Sequence, residues 1–255
     1  KKMDIQKVIL KKDEEQRIKN GHPWVFSNEV LSIEGKIESG ELCDVYSYDG
    51  SFIGRGFLNT ASKIIVRMLS FEKIEISEEF FLKRIHLANE FRKHLGLYHN
   101  YRVVFSEADM LPGLIVDKYG DYLSVQFLSL GMDKNKQMIM NALVKIFSPK
   151  GIMERSDSPI RKKEGLEEYK GMIYNAPFNP KVVIEENGVQ LMVDLENGQK
   201  TGYFLDQKFN RAVLKYYVKD QIVLDCFSHT GSFAMHALKY LSLIHISEPT
   251  RQAEI

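Results

Sequence analysis

The stretch VLDCFSHTGSFAMHAL, residues 223–238, decides the fold of this chain. An apolar run ends in Asp225, a turn of small residues follows around Gly231, and an apolar segment resumes after it. This order predicts a strand, a loop and a helix. In open α/β sheets such a crossover places a ligand at the carboxyl end of the strand, beside the helix N-terminus. The stretch therefore predicts a cofactor turn.

The chemistry of that turn narrows the choice of cofactor. Its single glycine, Gly231, does not match the GxGxxG pyrophosphate fingerprint. An acid followed by a Thr-Gly turn fits a cofactor without phosphates better, and S-adenosylmethionine (SAM) is the leading candidate. The missing fingerprint also disfavours a nicotinamide-dependent oxidoreductase.

Composition sets wide limits on function. The chain has 255 residues, 27% of them charged, and a formal net charge of +1. It is long enough for two or three compact units, and any RNA-binding surface must be a local patch. Cys43 and Cys226 offer neither a disulfide framework nor a metal motif. No apolar run approaches about 18 residues, so we expect no membrane span. The two distant cysteines fit a reducing cytosol, so we expect a cytoplasmic protein without a bound metal.

The first seventy residues predict a small β-barrel. Short apolar runs alternate with Gly-containing turns, and we expect strands at 8–10, 25–26, 42–47, 52–57 and 64–69. Six cations could give the barrel a basic face, although a solvated surface is the commoner meaning of such charges: Lys11, Lys12, Arg17, Lys19, Arg55 and Arg67. For Trp24 a packing role in the barrel is favoured over stacking with a base.

Two segments of this region resemble a known family. GHPWVFSNEV, residues 21–30, followed by GELCDVYSYDGSFIGRGFLN, residues 40–59, resembles the N-terminal PUA domain of the bacterial class I 23S rRNA cytosine-C5 methyltransferases. That domain is a small RNA-binding barrel. The resemblance implies that RNA is the partner of this part of the chain.

Residues 73–180 predict a central α+β unit. A helix over 78–95, capped by Ser77 and stopped at Gly96, carries apolar residues at helical spacing that should pack on a core: Phe81, Ile85, Ala88, Phe91 and Leu95. Strands at 102–106, 114–117 and 122–128, a helix at 134–147 and a strand at 152–155 follow. The polar cluster of 154–157, Arg161 and Glu164 favours structural salt bridges over catalysis. SEADMLPGLIVDKYGDYLSVQF (106–127) and ERSDSPIRKKEGL (154–166) resemble the same family's middle domain.

A hairpin and a polar loop precede the opening stretch. Glu186-Asn187-Gly188 between alternating apolar residues predicts a hairpin over 182–193. The loop GQKTGYFLDQKFNR, residues 198–211, then enters a helix, with Lys200 able to approach an anion. A helix start in which Asp206 supports the macrodipole explains the loop equally well on chemistry alone.

The loop 198–211 closely resembles the family passage just upstream of the SAM-binding strand, and DCFSHTGSF (225–233) resembles the first SAM motif. The resemblance extends over roughly residues 4–240. It implies that residues of the first segment line or brace the SAM and substrate pocket: Lys200, Thr201, Gly202, Phe204, Asp206, Gln207 and Arg211. From the second segment it implies cofactor-binding roles for Asp225, Phe227, Ser228, Thr230, Gly231, Ser232 and Phe233.

The sequence changes character after Tyr240. Residues 241–251 resemble the translation of a sequencing adapter, and 252–255 would be its index and the bases beyond. We expect a natural sequence that ends near Tyr240 and a non-native tail, which resequencing the locus tests. We also expect no second strand with a ribose-binding acid, and we reject Glu248 in that role because Pro249 follows it.

Methylation of cytosine C5 requires a cysteine thiolate that adds to the base and a second group that removes the C5 proton. Cys43 lies in the predicted barrel, and Cys226, at the end of the cofactor strand, fits a small buried packing residue better. We therefore assign no catalytic residue. The nucleophile and the motif for the flipped base are expected in a C-terminal part absent from this chain, so we expect no methyl transfer by it.

The predicted fold class is α/β with α+β. It comprises a PUA-like barrel (1–72), a central EEHEE-like unit (73–180), the start of a Rossmann-like SAM methyltransferase domain (181–240) and the tail (241–255). Its implied function is SAM-dependent methylation of a cytosine C5 in 23S rRNA, with homodimer formation as a further expectation. The alternative is a non-catalytic RNA-binding protein. The half-built sheet should expose an apolar face.

Overall fold

The chain begins with a six-stranded sheet, and one helical turn, α1 (Gln16–Lys19), lies between its first two strands in sequence. A computed structural model describes residues 5–241 and 244–247 of the chain. The strands of this first sheet are β1 (Gln6–Leu10), β2 (Trp24–Phe26), β3 (Val30–Glu34), β4 (Leu42–Tyr46), β5 (Phe52–Leu58) and β6 (Ile64–Ser70). Their order is β2-β6-β5-β4-β1-β3, with β1 parallel to β4 and every other pair antiparallel. Alternate apolar side chains of these strands form one buried core around Val8, Val45 and Leu58.

Two expectations for this sheet are wrong. Strand β3 was not predicted, because it lies at the sheet edge and its side chains are half-buried or exposed, which leaves no clear alternation. For three of the six cations neither the favoured solvated surface nor a basic face holds, because they pair with acids of the fold. Arg17 pairs with Glu29, Arg55 with Asp44 at 2.6 Å, and Arg67 with Glu107 and Glu164.

The second unit is a five-stranded sheet packed on helices. It comprises α2 (Glu78–His94), β7 (Asn100–Phe105), β8 (Leu114–Tyr119), β9 (Tyr122–Phe127), α3 (Leu130–Lys134), α4 (Lys136–Phe147), β10 (Gly151–Ser156), α5 (Ile160–Lys163) and β11 (Tyr169–Tyr174). The sheet order is β11-β10-β9-β8-β7, with β9 and β10 parallel. Its core joins Phe81 and Ile85 of α2, Leu143 of α4 and Val116 of β8.

Helix α2 confirms one prediction and corrects another. Ser77 is its N-cap residue, and Gly96 follows the C-cap with a positive φ of 78°. Phe81, Ile85 and Ala88 are buried, but Phe91 and Leu95 are 58% and 57% exposed. These last two residues were expected to pack on the core. They do not, because Arg92 takes the inward position in the last turns: its side chain is 12% exposed and donates to the carbonyl oxygen of Arg102 on β7 and to Asp109.

The polar cluster predicted to be structural is confirmed as such. Arg155 pairs with Asp157, Arg161 pairs with Asp133, and Glu164 accepts from Arg67 of the barrel at 2.8 Å. Trp24 is half-buried and absent from the barrel core; its Nε1 donates to Glu107 of the second unit at 2.8 Å. Its packing role therefore lies at the contact between the two units.

A two-stranded sheet follows, formed by β12 (Lys181–Glu186) and β13 (Val189–Asp194). The predicted hairpin is confirmed, and Asn187 and Gly188 adopt φ values of 52° and 73°, as a tight two-residue turn requires. The buried face of this hairpin packs on Tyr119 and Met153, which belong to the second unit. The hairpin thus shares a core with the preceding unit.

The last part contains α6 (Lys208–Val213), β14 (Ile222–Asp225), α7 (Ser232–Lys239) and β15 (Ile244–Ser247). The predicted strand, loop and helix of the opening stretch are confirmed. The expectation that no further strand follows is wrong for the described chain, since β15 pairs in parallel with β14 and aligns Ser247 with Asp225. Glu248 lies outside the described residues.

Apolar surface remains open around this last sheet, as expected. Ile222 and Leu224 of β14 and Leu238 of α7 are all exposed. Cys226 is also exposed, so its predicted role as a buried packing residue is wrong: the turn after β14 is not covered by a neighbouring layer in the described part of the chain. Within that same part, no helix is long and apolar enough to cross a bilayer.

Candidate cofactor site

The two segments predicted to bind a cofactor lie against each other. The first is the loop 198–207 that leads into α6, and the second is the turn 225–233 between β14 and α7. The ring centroids of Phe204 and His229 are 5.6 Å apart, and the guanidinium of Arg211 lies over the ring of Tyr203 in the first segment and of Phe233 in the second. The tertiary fold therefore joins residues that the sequence separates by about 25 positions.

Arg155 holds the start of the first loop. Its Nη1 atom donates to the carbonyl oxygens of Leu195 at 3.0 Å and Gly198 at 2.8 Å, while Nε donates to Asp157. The side chain is buried, so these bonds form where water does not compete. A residue of the second unit thus sets the position of the loop.

Thr201 points away from the open side of the loop. It is completely buried, and its hydroxyl donates to Asp117 and lies 3.1 Å from the hydroxyl of Tyr119. Asp117 also accepts two bonds from Arg102, at 2.8 and 2.9 Å. Burial, followed by the charge of Asp117, raises the pKa of Tyr119. Thr201 therefore braces the loop from below.

Gly202 has a role that only glycine can fill. Its φ of 133° lies in the region that disfavours L side chains. A Cβ at this position would lie 3.0 Å from Val193 Cγ1 and 3.2 Å from the carbonyl oxygen of Asp194. The loop can approach β13 this closely because no side chain intervenes.

The side chain of Arg211 is only 1% exposed, and it contacts the fully buried side chain of Glu186. Nε donates to Glu186 Oε1 at 2.5 Å, and Nη2 donates both to Glu186 Oε2 at 3.1 Å and to the carbonyl oxygen of Phe204 at 2.8 Å. The guanidinium also lies over the rings of Tyr203 and Phe233, 4.6 and 5.5 Å from their centroids. Arg211 braces the site and does not line it.

His236 completes this buried cluster from α7. Its Nδ1 lies 2.7 Å from the carbonyl oxygen of Ser232 and must donate, because that oxygen can only accept. Nε2 lies 3.3 Å from Asn187 Nδ2, which donates, and 3.8 Å from Glu186 Oε1. The helix that follows the cofactor turn is thereby attached to the tip of the β12–β13 hairpin.

The open side of the site carries different chemistry. Lys200 places its ammonium 4.8 Å from the centroid of Phe204, and the other neighbour of that ring is His229. Burial lowers the pKa of His229 below its ordinary value. Asp206 is exposed, and Gln207 donates to it at 3.4 Å. A cation and two rings thus lie together on the open side, and the exposed Asp206 follows two residues after Phe204 in the chain.

The turn after β14 is shaped for a close approach. Asp225 Oδ2 accepts the backbone N–H of Ala234 at 3.1 Å, which fixes the acid at the start of α7. Gly231 has a φ of 70°, and a Cβ there would meet no atom within 4 Å. Phe227 is 70% exposed and Thr230 is exposed, whereas Ser228 and Ser232 are buried. The turn therefore leaves room above its backbone.

The residues present fit SAM. Open backbone at Gly231 admits a flat or extended ligand, Lys200 suits a carboxylate, and the rings of Phe204 and His229 suit an apolar or aromatic group. Within the described ranges, no group of three or more His, Cys, Asp and Glu side chains is arranged to hold a metal ion.

Three residues of this site were missed from the sequence: Arg155, Asp117 and Glu186. An acid inside the apolar run LIVDKY was a usable signal for Asp117, because a charge in a buried strand needs a partner. Glu186 had no such signal, since an acid before an Asn-Gly turn is ordinary. Thr201, the partner of Asp117, lies 84 residues from it in the sequence, and Arg211, the partner of Glu186, lies 25 residues from it.

Comparison with known proteins agrees with this geometry. Residues 8–71 match the model of a PUA-like domain. The chain is 42% identical over 236 residues to the ribosomal RNA large subunit methyltransferase I of Vibrio campbellii, covering 91% of this chain and 59% of that protein. The protein of the same name from Aliivibrio fischeri is 40% identical over 237 residues, with 91% and 60% covered.

Two solved structures share the fold. One, from Streptococcus mutans and assigned to the SAM-dependent methyltransferases, has a TM-score of 0.78 at 22% identity over 96% of this chain and 63% of that one. The other, SMU.776, is assigned as a methyltransferase and was solved with S-adenosylhomocysteine (SAH). It has a TM-score of 0.79 at 23% identity over 96% of this chain and 62% of that one.

The class defined by this fold is a PUA-like domain joined to a fold found in SAM-dependent methyltransferases, which confirms the predicted fold class. The family resemblance seen in the sequence is also confirmed. The chain is similar to the ribosomal RNA large subunit methyltransferase I proteins, and it spans 59% of the length of the one from Vibrio campbellii.

Proposed function

We propose that this chain belongs to a SAM-dependent methyltransferase that acts on C5 of a cytosine in 23S rRNA. The observation that carries the proposal is the 42% identity, over 91% of the chain, to a protein named for methylation of large-subunit ribosomal RNA. The strand, turn and helix of residues 222–239 support the choice of cofactor. The cytosine C5 position rests on the family resemblance.

Within this proposal each unit has a task. Residues 1–72 bind RNA, 73–180 form the central unit, and 181–240 begin the methyltransferase domain. The shared core of Tyr119, Met153 and the β12–β13 hairpin supports a fixed arrangement of the last two. The protein acts in the cytoplasm, where rRNA is its partner, and it assembles as a homodimer.

The residues of the cofactor site divide into two groups. Those on the open side hold SAM: Lys200, Phe204, Asp206, Gln207, Asp225, Phe227, Thr230 and Gly231. Those beneath them keep the two segments in place: Thr201, Gly202, Arg211, Ser228, Ser232 and Phe233. SAM supplies an activated methyl group on a sulfonium. The chain's own residues bind and orient it, and no described residue is assigned as the nucleophile.

Calorimetry tests the choice of cofactor. Purified protein should bind SAH and not NAD, because Gly231 is the only glycine in the turn. Lys200→Ala should weaken SAH binding about tenfold, as loss of one charge-assisted contact worth about 1.4 kcal/mol predicts. Lys163→Ala, which removes an exposed lysine of α5, is the matched control and should leave the affinity unchanged. Binding of NAD in place of SAH would contradict the proposal.

The reaction is tested separately, with protein expressed from the native gene. Labelled SAM and 23S rRNA should yield 5-methylcytidine, identified by nucleoside mass spectrometry. Methylation at another base position would overturn the cytosine C5 assignment.

One observation favours a second function. Residues 8–71 match a PUA-like domain and form the whole first sheet, which could bind RNA without any methyl transfer. RNA binding by a protein that shows no affinity for SAH would favour this non-catalytic reading.

A further inference from the structure

One buried carboxylate touches the elements that carry both cofactor segments. Glu186, at the end of β12, accepts two bonds from Arg211 of α6 and one from the hydroxyl of Tyr203 at 3.2 Å. His236 of α7 lies 3.8 Å away. The side chains of Glu186 and His236 have no exposed surface, and that of Arg211 is 1% exposed.

These contacts form two routes to the open side of the site. Through Arg211, which also donates to the carbonyl oxygen of Phe204, Glu186 sets the loop whose ring faces Lys200 and His229. Through the same guanidinium, which lies 5.5 Å from the ring centroid of Phe233, it sets the first turn of α7. Both cofactor segments therefore depend on the position of one side chain that belongs to neither of them.

We infer that Glu186 is a positioning residue for the cofactor site, an inference that rests on the proposed function. It touches no ligand itself. It is the only carboxylate bonded to Arg211 in the described chain, so removing it frees the guanidinium from the geometry that holds the Phe204 carbonyl. Loss of the pair should therefore loosen residues 198–205 and 226–233 together.

The test replaces the whole ion pair, because removing one partner would leave a buried charge and could prevent folding. The variant is Glu186→Met with Arg211→Met. Its matched control is Asp44→Met with Arg55→Met, a buried bidentate pair of the first sheet with Nε–Oδ1 and Nη2–Oδ2 distances of 2.6 and 3.1 Å. Tyr203→Phe, which deletes only the hydroxyl, serves as a milder second variant.

Two readouts separate positioning from general stability. Hydrogen exchange followed by mass spectrometry should become faster in peptides covering 198–205 and 226–233 for the Glu186/Arg211 variant, and not for the Asp44/Arg55 variant. Calorimetry should show that SAH binds at least about tenfold more weakly to the first variant and with unchanged affinity to the second. Tyr203→Phe, which removes one bond to Glu186 and keeps the ion pair, should accelerate exchange at 198–205 by less than the double variant does.

The outcomes distinguish this inference from the proposed function. If the unmodified protein binds no SAH, the proposed function fails, and the exchange data still decide the role of Glu186. If the Glu186/Arg211 variant folds, keeps slow exchange in both segments and binds SAH normally, the inference is overturned. Equal acceleration in the Asp44/Arg55 variant would overturn it as well, since the effect would then be one of global stability.

Discussion

At the scale of single residues, His229 shows how the turn tunes a titratable group. It has a φ of 48°, and its ring lies edge-on to Phe204. Burial lowers its pKa, since a partly desolvated imidazole resists taking a charge. The neutral ring suits the proposed SAM site, because a protonated histidine would repel the sulfonium of SAM.

This gives a pH prediction with a definite sign. The unfolded chain takes up its proton near pH 6.5, above the lowered pKa of folded His229. The stability linked to His229 is therefore present above about pH 6.5 and is lost as the pH falls through that value. An NMR titration of the His229 ring should give a midpoint below 6.5, with His229→Gln identifying the signal. A midpoint at or above 6.5 would contradict this account.

At the scale of elements, helix α2 shows that periodicity predicts a helix better than it predicts burial. Its apolar residues recur at helical spacing over its whole length, yet the inward position of its last turns is held by Arg92, which is bonded to β7 and to Asp109. Phe91 and Leu95 remain exposed on either side of it.

Two substitutions test this division of the helix. Ile85→Ala should lower the free energy of unfolding by about 2–5 kcal/mol, because Ile85 is fully buried and its loss leaves a cavity. Phe91→Ala is the matched control and should change it by less than about 1 kcal/mol, because most of that side chain already contacts water. Urea denaturation measures both. A large effect at Phe91 would mean that another surface covers the end of the helix.

At the scale of the whole molecule, the first sheet and the second unit are joined by buried charge. Arg67 of β6 donates to Glu107 at 3.2 Å and to Glu164 at 2.8 Å. Glu164 also accepts from Ser62 at 2.8 Å and from Asn59 at 3.2 Å. Bonds of this kind depend on orientation, so the first sheet is held at a set angle to the second unit.

Weakening this junction should destabilise the protein as a unit. Glu164→Gln removes the charge that Arg67 faces and should cost about 1.5–3 kcal/mol in urea unfolding. Glu168→Gln, which affects an exposed pair with Lys162, should cost less than about 1 kcal/mol. Two separate unfolding transitions in the unmodified protein would contradict a rigid junction.

Local pattern alone predicted much of this protein. Alternating apolar residues indicated five of the six strands of the first sheet, the Asn187-Gly188 turn indicated the hairpin, and residues 223–238 indicated the cofactor turn. These features depend on neighbours in the chain, so their signals lie in the sequence itself. The edge strand β3 escaped because its half-exposed side chains leave no alternation to detect.

Only the tertiary structure decided what each site residue does. Thr201 and Arg211 stand beside Lys200 and Phe204 in one motif, but the first pair faces the interior and the second faces solvent. That difference depends on Asp117 and Glu186, which lie on other strands. Sequence by itself determined the strand, turn and helix and the two segments predicted to bind a cofactor, whereas burial by distant partners determined which of their side chains brace the candidate site. Spacing along a chain carries no information about a carboxylate that approaches from another strand.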